Sequence, residues 1–139
     1  EKGLGAALVE RAGPRTQDVL QVARQLWFRG RGTGRVLRAG DVAEAFDDVV
    51  TSEAPVIRAL WHELPDHQQD VLRVVALGAE QLFSAGTRDR YGLPAASSVH
   101  RAVEALIGRS LLVREDDGLV FDSPFVEAWV RKETAPDLG

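Results

Sequence analysis

The 139-residue sequence contains no cysteine and no methionine. Without cysteine the chain can form no disulfide, offers no thiolate nucleophile and has no cysteine ligand for zinc. No apolar run approaches the ~20 residues that a membrane-spanning helix needs. A hydrophobic fraction of 45% and a charged fraction of 27% are typical of a globular chain. We therefore expect a soluble protein without a membrane partner. Because it begins at Glu1 and has no initiator methionine, we interpret it as a fragment of a longer protein.

The motifs of common hydrolases, ATPases and metalloenzymes are also missing. His62 and His67 are five residues apart, not the four that place two zinc ligands on one helical face, and His100 is the only other histidine. The adjacent carboxylates of residues 47–48 and 115–117 are interpreted as exposed charge, because acid–base catalysis needs carboxyl groups that converge on a substrate. There is no G-x-S-x-G elbow and no G-x-x-x-x-G-K-[ST] phosphate loop. We predict no enzyme activity, no bound cofactor and no metal for this stretch.

Helical periodicity dominates the first 63 residues. The spacing of apolar residues predicts helices over residues 4–12, from near Thr16 to just before Gly30, from Gly40 onward, and over residues 53–64 entered through Pro55. The predicted buried stripe of the second helix consists of Val19, Leu20, Ala23, Leu26 and Trp27. That of the third consists of Val42, Ala45, Phe46 and Val49. The basic, glycine-rich residues 29–35 are interpreted as a linker, because they lack the spacing of a nucleotide loop.

From residue 64 onward, short helical patterns and a hairpin follow in the order typical of a winged helix-turn-helix. The first helix is predicted to begin at Asp66, where Gln69 three residues later resembles a capping box, and to end at Gly78. A short second helix is predicted over residues 83–91 and a third over residues 94–107.

A hairpin, the wing, is predicted after the third helix. Two extended runs over residues 111–121 are joined by Asp117-Gly118, a strong hairpin signal. Ser123 and Pro124 then provide the N-cap and first residue of a last helix. Its predicted inner residues are Phe125, Trp129 and Val130.

The third helical pattern separates an apolar face from a polar one. Its predicted buried stripe consists of Val99, Ala102, Val103, Leu106 and Ile107. The opposite face has Ser97, Arg101, Glu104 and Gly108, with Ser98 and His100 on its flanks. Because winged helices usually present this element to a partner, we predict that Ser97, Ser98, His100, Arg101, Glu104 and Arg109 contact DNA or protein. Arg88 and Arg90 of the second helix are predicted to help position the partner.

The charge of the second half favours a protein partner over duplex DNA. Residues 65–139 contain eight basic and twelve acidic side chains. Lysine and arginine supply most nonspecific affinity for nucleic acid, so this balance is unfavourable for DNA. Residues 115–117 at the tip of the wing are all acidic and would approach backbone phosphate. Both partners nevertheless stay open at this stage.

Several motifs together resemble a known family. They are Leu64-Pro65, Val71-Leu72 and GLPAASSVHRAVEALIGRSLLVREDDGLVFDSPFVEAWVR, residues 92–131. This combination is similar to the C-terminal region of prokaryotic AAA-like P-loop ATPases, where a helical lid and a winged helix follow the ATPase core. In that family the hairpin commonly runs into Asp-x-Pro-Phe with a tryptophan shortly after, as residues 122–125 and Trp129 do here.

The resemblance implies a mainly α fold with a small β-hairpin, in which residues 1–63 form a helical lid-like subdomain and residues 64–139 the winged helix. It implies a non-catalytic accessory region that couples the nucleotide state of an upstream ATPase core, with ATP and Mg in the parent, to a protein or DNA partner in the cytoplasm. Arg15 would then sense the nucleotide. The alternatives are a DNA-binding transcriptional regulator with a helical dimerisation half, which would make an oligomer, and a purely structural scaffold.

Overall fold

The computed structural model describes residues 3–13, 16–30, 39–79, 82–116 and 118–134. Within these ranges the chain forms seven helices and one antiparallel hairpin: α1 (Leu4–Ala12), α2 (Thr16–Gly30), α3 (Ala39–Glu63), α4 (Asp66–Ala76), α5 (Ala85–Tyr91), α6 (Ala96–Gly108), β1 (Leu112–Glu115), β2 (Gly118–Phe121) and α7 (Pro124–Glu133). The predicted fold class, mainly α with a small hairpin, is confirmed. The chain divides into two compact units, Glu1–Pro55 and Val56–Gly139. The predicted division into residues 1–63 and 64–139 stays a prediction.

In the first unit, α1, α2 and the start of α3 pack around a small apolar core. The bounds predicted for α1 are confirmed, and α2 extends through Gly30. Polar contacts support the packing: the Arg11 guanidinium lies 5.8 Å from the centroid of the Phe46 ring, and Gln21 Nε2 donates to Glu53 Oε1 at 2.8 Å. The core residues of this unit are Ala12, Val22, Leu26, Val42, Ala45, Phe46, Val49 and Val50.

The predicted buried stripe of α2 is confirmed at Leu26 and wrong at Leu20 and Trp27, while Val19 and Ala23 are half-buried. Leu20 and Trp27 are 58% and 59% exposed, whereas Val22 and Leu26 are buried. The helix has more apolar residues than one face can hold, so periodicity alone allows two neighbouring stripes. Val22 and Leu26, four residues apart, face the core, whereas Leu20 and Trp27, seven residues apart, face outward.

A single helix, α3, stands where two were predicted. The helix continues through Pro55, whose side chain is exposed. Proline removes one backbone donor and crowds the preceding turn, yet this loss does not end the helix here. The apolar stripe of α3 keeps one helical phase on both sides of the proline: Val42, Phe46, Val49, Val50, Ile57 and Trp61 are all buried.

The second unit is built around the end of α3, α4, α6, α7 and the hairpin. The rings of Trp61 and Trp129 make an edge contact with centroids 5.9 Å apart. Burying each large aliphatic side chain contributes about 1.5–3 kcal/mol relative to leaving it in water. The fully buried valines and leucines in the described part of this unit are Val71, Leu72, Val74, Val99, Val103, Leu106, Leu112 and Val130.

The predicted cap of α7 is confirmed. Ser123 Oγ accepts hydrogen bonds from the backbone N–H groups of Phe125 and Val126, at 3.2 and 3.4 Å, and Pro124 occupies the first turn. Phe125, Trp129 and Val130 are buried, as predicted.

The predicted capping box of α4 is wrong. Pro65 is the N-cap and offers no side-chain acceptor, so Asp66 is already inside the helix. The Gln69 side chain donates instead to the Trp61 carbonyl at 2.7 Å, which joins α4 to the end of α3. The short helix α5 begins two residues later than predicted because Ser84 caps it, accepting from the Thr87 N–H.

Helices α4 and α6 end in the same backbone motif with different residues. After α4, Gly78 has a φ of 82°, and Gly78 and Ala79 donate to the carbonyls of Val75 and Val74. After α6, Ser110 has a φ of 62°, and Ser110 and Leu111 donate in the same pattern to Ile107 and Leu106. This is the Schellman motif, whose left-handed position favours glycine. Ser110 therefore turns the chain from α6 into the wing at a conformational cost.

Candidate partner-binding surface

The exposed face of α6 agrees with its predicted phase. Val99, Ala102, Val103 and Leu106 are buried, and Ile107 is half-buried. The opposite face reaches solvent through Ser97, His100, Arg101, Glu104, Gly108 and, just beyond the helix, Arg109, with Ser98 half-buried. The residues predicted to contact a partner on α6 thus share one accessible surface.

The wing is a two-stranded hairpin with one face against the core. Leu112 pairs with Phe121, and both are buried. Val113 pairs with Val120 on the opposite face, where each is 38% exposed. Because successive residues of a strand point to opposite faces, Arg114 and Leu119 return to the side of the core.

The turn of the wing is shifted by one residue from the prediction. Gly118 was expected to be in the turn, but it pairs with Glu115 inside β2. Asp116 has a φ of 50° and occupies the turn. A tight hairpin turn needs positive φ, and aspartate is one of the few residues other than glycine that tolerates it.

Charged side chains connect the wing to α6. Arg114 Nη2 makes a hydrogen-bonded ion pair with Glu104 Oε1, and each side chain is about half exposed. His100 Nε2 lies 4.0 Å from the same carboxylate oxygen, and its ring centroid is 5.6 Å from that of Phe83. The Glu104 carboxylate, which was predicted to face a partner, is thus already held by the basic side chain of the wing.

The four arginines predicted to contact a partner differ in their surroundings. Arg88 is half-buried and its Nε donates to the Phe83 carbonyl at 3.2 Å. The Arg90 guanidinium lies 5.3 Å from the Tyr91 ring centroid. Arg101 and Arg109 are exposed, and neither has an ion pair with any residue that the structure describes. These two arginines are available to a ligand, and so is Arg90, which is also exposed.

A groove that sequence analysis did not identify lies beside the wing. Its volume is about 700 Å³, within the range of about 300–1,000 Å³ common for ligand pockets. Val75, Leu82, Phe83 and Leu119 provide its apolar lining. The remaining lining residues are Gly78, Ala79, Arg114, Glu115, Asp116 and Gly118. They come from a helix end, a turn and a hairpin, so no periodic pattern in the sequence could have revealed the groove.

Neither a metal site nor a membrane span is found in the described ranges. No group of three or more histidine and carboxylate side chains there could hold a metal ion. None of the helices described is long and apolar enough to cross a bilayer. Arg15, the predicted nucleotide sensor, lies outside the described residues.

Comparison with known proteins supports the winged helix alone. A family model described as "Probable winged helix domain" matches residues 56–132, more than half of the chain. No curated protein and no solved structure gave a significant match. Nothing in these comparisons links the chain to P-loop ATPases, so that relationship stays a prediction. The matched range contains the end of α3, the helix-turn-helix of α5 and α6, the wing and nearly all of α7. The chain therefore belongs to the family described as "Probable winged helix domain", whose fold suggests binding to DNA or protein.

Proposed function

We propose that this winged helix is a non-catalytic binding module whose partner is a protein, contacted through α6 and the wing. The observation that supports a protein over duplex DNA is the ion pair between Glu104 and Arg114. Arg114 is the only basic residue of the hairpin. Its charge is neutralised by a carboxylate of α6, the helix that would enter a DNA groove.

The remaining charges of this surface are also unfavourable for phosphate. Glu115 and Asp116 are exposed at the end of the wing, and neither has an ion pair with a described residue. A carboxylate at about 4 Å from a phosphate oxygen costs about 1 kcal/mol even at the dielectric constant of water. The exposed arginines of the two helices, Arg90, Arg101 and Arg109, would have to offset this repulsion.

Apolar exposure on the same module suits a protein partner. Val113 and Val120 form a neighbouring pair on the outer face of the wing, and Phe83 is exposed to the same extent. Protein interfaces commonly combine such apolar side chains with a charged rim. Phosphate backbone offers no comparable apolar surface.

Duplex DNA is the second candidate, because Arg101 and Arg109 have no ion-pair partner in the described part of the chain. Fluorescence anisotropy of a labelled duplex at two salt concentrations tests it. We expect weak binding with a shallow salt dependence, since two or three phosphate contacts give a slope of about −2 to −3 in the logarithmic plot. Saturable binding with a slope of about −4 or steeper would contradict our proposal.

A matched pair of variants sharpens that measurement. Glu104→Gln releases Arg114 from its ion pair, whereas Glu127→Gln removes an equal charge on α7. If α6 and the wing contact DNA, only Glu104→Gln should strengthen binding and steepen the salt dependence. We expect the two variants to behave alike.

For the parent protein we propose coupling to an upstream ATPase core in the cytoplasm. The support is the sequence resemblance described above, in which residues 1–63 correspond to a lid and Arg15 to a sensor of bound ATP and Mg. The parent's reading frame should then contain a phosphate loop within about 150–250 residues upstream, roughly one domain length. ATP hydrolysis by the parent should fall with Arg15→Ala. A parent without such a loop contradicts this coupling and leaves the winged helix unaffected.

A further inference from the structure

We propose that the groove beside the wing binds an extended, basic segment of the partner protein, which pairs with β2 as an additional strand. This inference rests on the proposed function, because it assumes that the partner is a protein. It adds the chemical class of the bound segment and its position on the module.

The first argument is the backbone of β2. Asp122 N–H donates to the Leu111 carbonyl, and this bond sets which pairs of the ladder are hydrogen-bonded. Along two antiparallel strands, hydrogen-bonded residue pairs alternate with residue pairs whose N–H and C=O groups point away from the partner strand. Asp122 and Leu111 form a hydrogen-bonded pair, so the alternation along the register makes Arg114 and Leu119 a pair whose backbone N–H and C=O groups point outward. No backbone hydrogen bond joins Leu119 to another described residue. The described residues thus leave this edge of β2 without a partner strand, and such an edge is a template for an added strand.

The second argument is the shape and lining of the groove. Leu119 lines it together with Gly118, so the groove borders this part of β2. Val75 and Leu82 are buried, and Phe83 adds an accessible ring. Alternate side chains of a strand point to one side, so every second residue of a paired segment would face this apolar lining. We therefore expect apolar residues at alternating positions of the ligand.

The third argument is charge. Three charged residues, Arg114, Glu115 and Asp116, line the groove. Arg114 is neutralised by Glu104, whereas Glu115 and Asp116 have no ion pair with a described residue. The groove therefore presents a net negative charge. Lysine or arginine beside the apolar positions of a bound segment would complement these carboxylates.

Selection from a random library of displayed nine-residue peptides against the folded chain provides the probe. We expect enriched peptides in which apolar residues alternate with lysine or arginine. A synthetic copy of the most enriched peptide should shift the amide resonances of residues 82–83 and 118–119. Enrichment of acidic peptides, or no enrichment, would overturn the inference.

Two matched variants test the backbone pairing. Leu119→Pro removes the outward N–H and leaves the ladder with β1 intact, since proline is tolerated where the N–H faces away from the partner strand. Leu119→Val keeps both the N–H and an apolar side chain. We expect the first to weaken binding of the selected peptide at least tenfold and the second less than threefold. Circular dichroism establishes that both variants are folded. Equal affinities of the two folded variants would overturn strand pairing.

Neutral variants test the charge. Replacing both Glu115→Gln and Asp116→Asn should weaken the peptide at least fivefold and reduce the salt dependence of its binding. Glu63→Gln, an exposed change on α3, should leave the affinity unchanged. If the double variant binds as tightly as the original, the charge argument is wrong.

The outcomes separate the inference from the function on which it rests. Steep, saturable DNA binding would contradict a protein partner altogether. Peptides that bind elsewhere, with affinities insensitive to the β2 and wing variants, would leave a protein partner standing and overturn the groove as its site.

Discussion

The two compact units differ in how completely they bury their aromatic side chains. In the second unit Trp61 and Trp129 contact each other and are only 6% and 4% exposed. In the first unit Trp27 and Phe28 also contact each other, with centroids 5.5 Å apart, but they are 59% and 53% exposed. The same kind of ring pair is thus part of a core in one unit and part of a surface in the other.

Aromatic content alone therefore does not indicate the stability of a unit. The described part of the second unit also buries eight valine and leucine side chains almost fully, whereas Val22 and Val42 are the valines buried to that degree in the described part of the first. Hydrophobic stabilisation depends on the apolar area removed from water. Substitutions of the same type should therefore have very different effects in the two units.

The largest contrast is expected for a charge placed at an apolar position. Val103→Asp puts an unpaired carboxylate into the core of the second unit and should lower the free energy of unfolding by more than about 4 kcal/mol. Leu20→Asp, at an exposed position of α2, should change it by less than about 1 kcal/mol. Thermal unfolding followed by circular dichroism measures both. Similar losses for the two variants would contradict the difference in burial between Val103 and Leu20.

Removing a tryptophan should give the next largest contrast. Trp129→Ala is expected to lower the free energy of unfolding by about 3–5 kcal/mol, because it leaves a cavity and removes the ring contact with Trp61. Trp27→Ala should lower it by about 1 kcal/mol or less, since more than half of that ring is already in water. Urea denaturation monitored by circular dichroism provides the values. Trp129→Phe is the control, and it should cost less than the alanine variant because a ring remains.

A smaller effect of opposite sign is expected where α6 turns into the wing. Ser110→Gly should raise the free energy of unfolding by about 0.5 kcal/mol, because glycine adopts positive φ without strain but is freer in the unfolded chain. Gly78→Ser, at the matching position after α4, should lower it by a comparable amount. Chemical denaturation of both variants checks this. A loss with Ser110→Gly would show that the serine side chain is needed there.

The smallest effect is expected on the exposed face of α6. Arg101→Glu should change the free energy of unfolding by no more than about 0.5 kcal/mol, because the side chain is exposed and has no ion pair with a described residue. Thermal denaturation at two salt concentrations measures this. Substantial destabilisation would contradict the exposed position of the Arg101 side chain.

Much of the second unit could be predicted from sequence, because its signals are local. One apolar stripe on α6 fixes which side is buried, and Ser123 with Pro124 marks the start of α7. The errors have physical causes. Pro55 favours a break in α3, but the apolar stripe continues past it, and α2 has apolar residues on two faces. The Glu104–Arg114 pair joins residues ten positions apart on a helix and a strand. Such a pair, like the groove beside the wing, depends on tertiary placement that periodicity does not encode.

The distribution of the three tryptophans makes the chain its own optical reporter. Trp27 is largely in water and Trp61 and Trp129 are enclosed. A small quencher such as acrylamide should therefore reach the first much more readily than the other two. Emission that remains at high quencher concentration then follows the second unit, and the quenched fraction follows α2. Events in each unit can be observed separately in one sample without attaching a dye.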